Sequence, residues 1–358
     1  MAQKMKAQVF YEKEIMKAEE VPTPEISDIE VLVKVRNVGI CGSDISYFYG
    51  QSPVDTPTGK GPIILGHEFT GDVVRVGKVP AASHLFQEGD RVVVNPVQHC
   101  NACYACACGE THMCSNIRVL GVSVNGGFAE YCASGYTGLF KLPDNVSYEA
   151  GAFIEPLACA VNGMNKLDIK PGQFVAVFGP GPIGLMMVQM AKSMGAGKVA
   201  LVGTRDFRLT PALKMGADYI FNTKETGSKY YVKDLKKAIS DATHGKLAER
   251  AIVPTGSTPA FEQAVECCGN CSIIVHFGLP DEVDFLKIPA LSFHKMDKQI
   301  RSSWLAPMVW PQTIRMVSEG LVKLDSLVSH RYPLAETEQA IRKLRDRVNE
   351  PLKVQITL

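Results

Sequence analysis

Five consecutive apolar residues, Phe174-Val175-Ala176-Val177-Phe178, run straight into Gly179-Pro180-Gly181-Pro182-Ile183-Gly184 and then into a mostly apolar stretch, Leu185–Met194. An unbroken apolar run of this length predicts a strand buried on both faces, as in a parallel sheet, and the stretch after the glycines predicts a helix. Similar runs recur at Lys198–Val202, Tyr219–Phe221, Arg250–Val253 and Ser272–Phe277, with helix-like stretches such as Phe261–Glu266 between them. That alternation is the rhythm of a parallel sheet with crossover helices. The first 90 or so residues read differently. Lys6–Phe10, Glu30–Val38, Phe69–Gly77 and Asp90–Val94 alternate or carry β-branched residues between Pro- and Gly-marked turns. Several short strands without a long amphipathic helix predict a small barrel-like all-β unit. Near the C-terminus, Thr313–Gly320 and Leu334–Arg347 read as amphipathic helices and Leu352–Leu358 as a strand.

A chain of 358 residues has length for two domains with full cores. Its 38 basic and 37 acidic side chains nearly cancel, so no basic stripe points to nucleic acid and no charged tail to a membrane surface. The first residues, Met1-Ala2-Gln3-Lys4-Met5-Lys6, lack the apolar core of a signal peptide, and no apolar run approaches the ~20 residues that span a bilayer. The expectation is a cytoplasmic enzyme. Eleven cysteines without an export signal favour metal binding or thiol packing over disulfides.

The glycines at 179, 181 and 184 have G-x-G-x-x-G spacing between the expected strand and helix. The first permits the tight turn, the second lets backbone approach a pyrophosphate, and the third lets the helix pack close to the strand. With Pro182 and Ile183 they form the expected dinucleotide site, the helix amides facing the phosphate. Cys100, Cys103, Cys106 and Cys114, spaced C-x2-C-x2-C-x7-C, can wrap four thiolates around one ion. Four thiolates leave no open position, so the ion would be structural, and zinc is favoured over free thiols or an iron–sulfur cluster. Cys108 is read as a spare, and His99 and His112 as lesser competitors. Elsewhere Cys41, His67 and Glu68 offer a thiolate, an imidazole and a carboxylate, the sort of three-ligand set that leaves a catalytic zinc one open position. Glu155, among apolar neighbours, is either a fourth ligand or a charge at a helix N-terminus.

These segments together resemble the zinc-dependent medium-chain dehydrogenase family, most closely its sorbitol (polyol) dehydrogenase branch. The likeness runs through Cys41-Gly42-Ser43-Asp44, Gly66-His67-Glu68, the cysteine lobe, Gly126-Gly127-Phe128-Ala129-Glu130-Tyr131, Glu155-Pro156-Leu157 and the glycine turn. It implies a GroES-like β-barrel catalytic domain made of residues 1–157 and 296–358, with a zinc lobe at about 96–116. It also implies an inserted Rossmann domain, 158–295, a doubly wound parallel sheet, with the active site in the cleft and a homodimer or homotetramer as the assembly. It further implies two Zn2+ per chain: a catalytic one on Cys41 and His67 with Glu68 and Glu155 sharing it unequally, and a structural one on the four lobe cysteines. Asp44 would orient His67. The implied reaction is hydride transfer from an alcohol, activated by zinc, to a nicotinamide. Ser43 would begin the proton relay, and Ser46 stands where the family often has histidine.

One position departs from the NAD-specific pattern. An acidic residue ~20 positions past the glycine turn normally bonds both ribose hydroxyls; here that position is Gly203, followed by Thr204, Arg205 and Arg208. Lack of a carboxylate and presence of arginines favour a 2′-phosphate, so NADP is expected over NAD, with Asp206 as the residue that could reverse the preference. The substrate implied by the resemblance is a polyol or the matching ketose. Alternatives are a sugar acid or sugar phosphate, for which Arg301 would supply the cation, an amino-alcohol such as threonine, and a nucleotide-binding relative without turnover.

Overall fold

A computed structural model describes residues 3–52 and 61–358. The chain divides into two compact units, Met1–Pro156 with Trp310–Glu319 and Leu324–Leu358, and Leu157–Val309 with Gly320–Lys323.

The first unit is built on β-sheets. Its larger sheet has seven strands and runs Leu139–Lys141, Arg91–Val94, Glu68–Val76, Glu30–Gly39, Lys353–Thr357, Val328–Pro333, with Tyr131–Gly135 also paired to Glu30–Gly39. Lys4–Glu12, Ile15–Pro22 and Ile63–Ile64 form a second, three-stranded sheet. Alternation along these strands turns Val31, Val33, Val35, Val38, Phe69, Val73, Val354 and Ile356 into one core, with Phe10, Phe48 and Phe128. Burial of each such side chain favours folding by about 1.5–3 kcal/mol before the entropy of ordering is counted. Three adjacent strands set up the site. Glu68 pairs with Gly39, and Gly39 pairs on its other side with Gln355.

The second unit carries a six-stranded, all-parallel sheet in the order Tyr219–Asn222, Lys198–Gly203, Phe174–Phe178, Ala248–Val253, Cys268–His276, Gln299–Ser302. In chain order this is 3-2-1-4-5-6, the Rossmann arrangement, whose ligand crevice lies at the carboxyl end of the first strand. All five residues of Phe174–Phe178 are buried, as the unbroken apolar run requires. The following helix begins at Pro182, three residues before the expected Leu185, because Pro182 supplies a favourable first-turn residue behind Gly181. The return to the first unit comes later than the 296 expected from sequence. Gln299–Ser302 pairs Ile300 with Ile274 and Arg301 with Val275, so the sheet keeps this short strand as its edge, and the unit runs on to Val309. Among the described residues no helix is long and apolar enough to cross a membrane.

Candidate active site

Cys41, His67 and Glu68 present ligand atoms that all lie within 4.8 Å of one another. The fold explains the meeting. Cys41 caps the helix Gly42–Phe48 just after the strand Glu30–Gly39, and Glu68 opens the strand paired to it. His67 is 7% exposed and Glu68 fully buried. Glu68 Oε1 has no hydrogen-bond partner. A buried carboxylate oxygen without a donor is costly, and a thiolate, an imidazole and a carboxylate converging on one point suit a zinc ion, so these residues fit the metal that the motif implied.

The surrounding groups orient the ligands. Asp44 Oδ2 accepts from the Cys41 amide at 2.8 Å, fixing the carboxylate at the helix start. Its Oδ1 faces His67 Nδ1 at 3.5 Å, an ion-pair contact, which leaves Nε2 for a metal. Ser43 Oγ lies 3.4 Å from His67 Nε2. Ser46 is half-buried on the same helix. Lys353, which sequence reasoning missed, is buried and ion-paired to Glu68 Oε2. Its signal lay in the last strand, Lys353-Val354-Gln355-Ile356-Thr357, where a lysine stands at one end of an element with four buried positions.

Burial lowers the proton affinity of His67, but the Asp44 carboxylate and the Cys41 thiolate outweigh it and hold the imidazole well above its ordinary value. Burial likewise opposes the charge on Lys353, and Glu68, followed by Cys41, raises it above the usual amine range. For His67 the folded value exceeds the unfolded one. In the metal-free protein the protonated ring therefore contributes stability that is complete below pH ~6.5 and is lost as pH rises through the raised value. A metal must displace that proton. Zinc uptake here will weaken as pH falls, and adding zinc to metal-free protein near pH ~6.5 will release protons. A pH-stat titration checks this; uptake without proton release contradicts it.

The second cluster is Cys100, Cys103, Cys106 and Cys114, whose sulfurs also lie within 4.8 Å of one another. Cys114 Sγ accepts from the amides of Cys100 and Asn116, each at 3.4 Å, and Cys100 Sγ accepts from the Cys103 amide at 3.3 Å. The Cys106 and Ser115 amides lower the Cys103 thiol to about 5, while desolvation and neighbouring thiols push Cys106 to about 12. Four sulfurs this close cannot all ionise without a cation among them, so the lobe fits a closed four-thiolate ion. Cys108 is exposed and outside the cluster, as expected. Cys132, Cys267 and Cys268 are buried, their thiols raised to about 12 by burial, and behave as small apolar side chains.

In the second unit Gly179 has φ +133°, and a Cβ on Gly184 would stand 1.9 Å from the Gly179 carbonyl oxygen. The turn therefore needs glycine at both places. Gly181 meets nothing within 4 Å and caps the helix that starts at Pro182, a helix N-terminus of the kind that binds a pyrophosphate. At the end of the next strand a Cβ on Gly203 would lie 2.4 Å from Pro180 Cγ, so close packing excludes a carboxylate there. Thr204 is exposed, and Arg205 and Arg208 follow in the short helical turn. Burial, and next the charge of Arg205, lower the proton affinity of Arg208, so the two guanidinium groups share one neighbourhood. Asp206 Oδ1 accepts from Asn222 Nδ2 at 2.7 Å and Ser228 Oγ at 2.8 Å. Glu225 Oε2 accepts from Asn222 Nδ2 at 2.7 Å and the Asp206 amide at 2.9 Å.

Two candidates stand apart from the clusters. Glu155 is 8% exposed in the first turn of the helix Ile154–Leu167 and is not one of the three converging ligands. The Arg301 guanidinium donates to the Lys166 carbonyl at 2.8 Å and to Gln299 Oε1 at 3.0 Å, so it is engaged within the second unit.

Comparison with known proteins agrees with this geometry. Residues 27–144 match the alcohol dehydrogenase GroES-like domain and residues 182–319 the zinc-binding dehydrogenase domain. Sorbitol dehydrogenase of Bacillus subtilis is 32% identical over 356 residues, 99% of this chain and 97% of that protein. A proposed zinc-binding dehydrogenase from Sinorhizobium meliloti 1021, solved with NADP bound, superposes with TM-score 0.89 at 27% identity, covering 99% of this chain and 100% of the other. The alcohol dehydrogenase RspB of Escherichia coli CFT073, complexed with NADH, gives TM-score 0.89 at 29% identity and covers 99% of each chain. Converging thiolate, imidazole and carboxylate, a four-cysteine lobe and a Rossmann glycine turn accompany a full-length relative, and the chain belongs to the zinc-dependent medium-chain dehydrogenases, as a sorbitol dehydrogenase-like enzyme.

Proposed function

We propose that this enzyme oxidises a secondary alcohol of a polyol, or reduces the matching ketose, with NADP(H) and two zinc ions per chain. The observation that carries the chemistry is the convergence of Cys41, His67 and Glu68 within 4.8 Å, in a chain 32% identical along its whole length to a sorbitol dehydrogenase. When bound, zinc supplies a Lewis acid that lowers the pKa of the substrate hydroxyl, and the coenzyme accepts the hydride. The protein's own groups do the rest. Cys41 would contribute a thiolate to the ion and His67 its Nε2, while Asp44 faces the other ring nitrogen at 3.5 Å. Ser43 Oγ, 3.4 Å from that Nε2, would accept the hydroxyl proton while passing its own on toward Ser46, next along the helix, and from there to solvent. Glu155 would serve in this scheme as an occasional ligand of the ion or as the carboxylate that holds a water beside it. The oligomer is a homodimer or homotetramer.

Coenzyme choice rests on the end of the strand Lys198–Gly203. The ribose position is filled by Gly203, and the nearby carboxylate of Asp206 is tied to Asn222 and Ser228. Arg205 and Arg208 then offer cations to a 2′-phosphate. Steady-state kinetics will show kcat/KM for NADP+ at least about tenfold above NAD+, the scale of one lost charge-assisted contact, and Arg205→Glu will reverse the order. A clear preference of the wild type for NAD+ contradicts the reading. A panel of polyols, aldonates, sugar phosphates and threonine, run with both coenzymes, tests the substrate class. The engagement of Arg301 with Lys166 and Gln299 favours an uncharged polyol over an anionic sugar.

A further inference from the structure

The second unit contains a cavity of about 320 Å³, a volume within the range of small-molecule sites. Its lining comes from the amino ends of three neighbouring strands. Leu247 precedes Ala248–Val253, Val265 and Glu266 precede Cys268–His276, and Lys298 precedes Gln299–Ser302. The glycine turn follows the carboxyl end of Phe174–Phe178, so in this parallel sheet the cavity and the coenzyme turn lie at opposite ends of the strands. The short helix Ala290–Lys295 buries none of its residues, and Phe293 and, just beyond it, Met296 line the cavity half-buried. Lys298 is 8% exposed. Its Nζ donates to the Val265 carbonyl at 2.7 Å, which uses one of the three ammonium protons. Among the described residues no carboxylate comes within ion-pair distance of it, and the charged side chains around it are Lys236, which lines the same cavity, and the exposed Glu266. Cys267 and Cys268 are near as well, but burial pushes both thiols up to about 12, so at neutral pH they carry no charge. Burial, more than any neighbour, holds the ammonium below the usual amine range.

We propose that this cavity is a binding site for a monoanionic organic acid with a short apolar body, its carboxylate on Lys298 and its body against Leu247, Val265, Phe293 and Met296. The charge fits. Lys236 and Lys298 bring two positive charges and Glu266 one negative, so one added negative charge brings the sum to zero, and a dianion would overshoot it. A carboxylate offers acceptors, at charge-assisted strength, to the two ammonium protons left over after Val265. The walls fit as well. Four apolar side chains line a space that a small hydrated ion would leave without contacts. A lysine that only caps the helix Thr258–Glu266, whose last turn carries the Val265 carbonyl, accounts for the hydrogen bond. It gives no reason for the space beside the ammonium and predicts no ligand there.

Isothermal titration calorimetry of the zinc-loaded enzyme with hexanoate tests this, with hexanamide as the uncharged control and inorganic phosphate as the control without an apolar body. Wild type will bind hexanoate with a Kd of about 1 mM or below, and both controls at least about tenfold more weakly, the scale of one lost hydrogen bond to a charged group. Lys298→Met will weaken hexanoate by the same factor, and Lys298→Arg will keep it. Ser292→Trp leaves the lysine in place and crowds the cavity from an exposed position on the helix Ala290–Lys295, so it will weaken hexanoate too and carries the test if Lys298→Met does not fold. The metal cleft is the competing location for a carboxylate. His67→Ala disables that cleft, and hexanoate will bind this variant as it binds wild type. Any of four results overturns the site: no heat from wild type up to about 10 mM hexanoate; hexanamide or phosphate bound as tightly as hexanoate; unchanged affinity in Lys298→Met or, should that variant not fold, in Ser292→Trp; or binding lost in His67→Ala.

Discussion

His67→Ala will lower kcat/KM for alcohol oxidation by about 10³-fold or more, while coenzyme still binds. A Lewis acid acting on a developing alkoxide contributes several kcal/mol, and each ~1.4 kcal/mol is tenfold in rate. His67 is one of three converging ligands, and without it Cys41 and Glu68 alone must hold the ion. The coenzyme groups lie in the other unit, on the glycine turn and the strand Lys198–Gly203, and do not depend on this side chain. Fluorescence titration with NADPH and rate assays with a polyol read the two effects separately. Retention of full turnover after verified loss of the metal would remove its assigned role.

Cys114→Ser will unfold the cysteine lobe and lower the melting temperature of the enzyme. The lobe has little else to hold it. Its regular structure amounts to a two-residue strand at Val97–Gln98, a four-residue helix at Tyr104–Ala107 and a single turn at Thr111–Met113. Tyr104 and Met113, its large apolar residues, are 87% and 57% exposed. Structural zinc in small motifs supplies about 10–16 kcal/mol of apparent binding energy at neutral pH, which here would replace the missing core. Cys114 is the most buried of the four and gathers two amide hydrogen bonds on its sulfur, so its replacement removes a ligand and the organiser of the loop. Limited proteolysis will cut this segment in the variant and spare it in the wild type. Equal resistance in both would show that the loop stands without a metal.

Most of the candidate metal-binding clusters were legible because Cys, His and Glu at such spacings form a motif. Cys41, His67, Glu68 and the four lobe cysteines all gather as the sequence suggested. So does the glycine turn, where Gly184 packs on Gly179. What escaped was chemistry that depends on strand register. Lys353 lies nearly 300 residues beyond Glu68, and the two meet only because Glu30–Gly39 pairs with the strands that carry both. The strand Gln299–Ser302 escaped for a related reason. It has four residues, with exposed ends, and exists because the sheet's edge offers it partners. Arg301 shows what a sequence cannot convey about a lone arginine: its guanidinium also donates to a backbone carbonyl and to a neighbouring side-chain amide within its own unit.

Anomalous diffraction at the zinc absorption edge, from crystals of the active enzyme, tests the central claim most directly. The account predicts two peaks per chain, one inside the cysteine lobe and one about 2.0–2.3 Å from Cys41 Sγ and His67 Nε2. A fully active enzyme with density only in the lobe would contradict it.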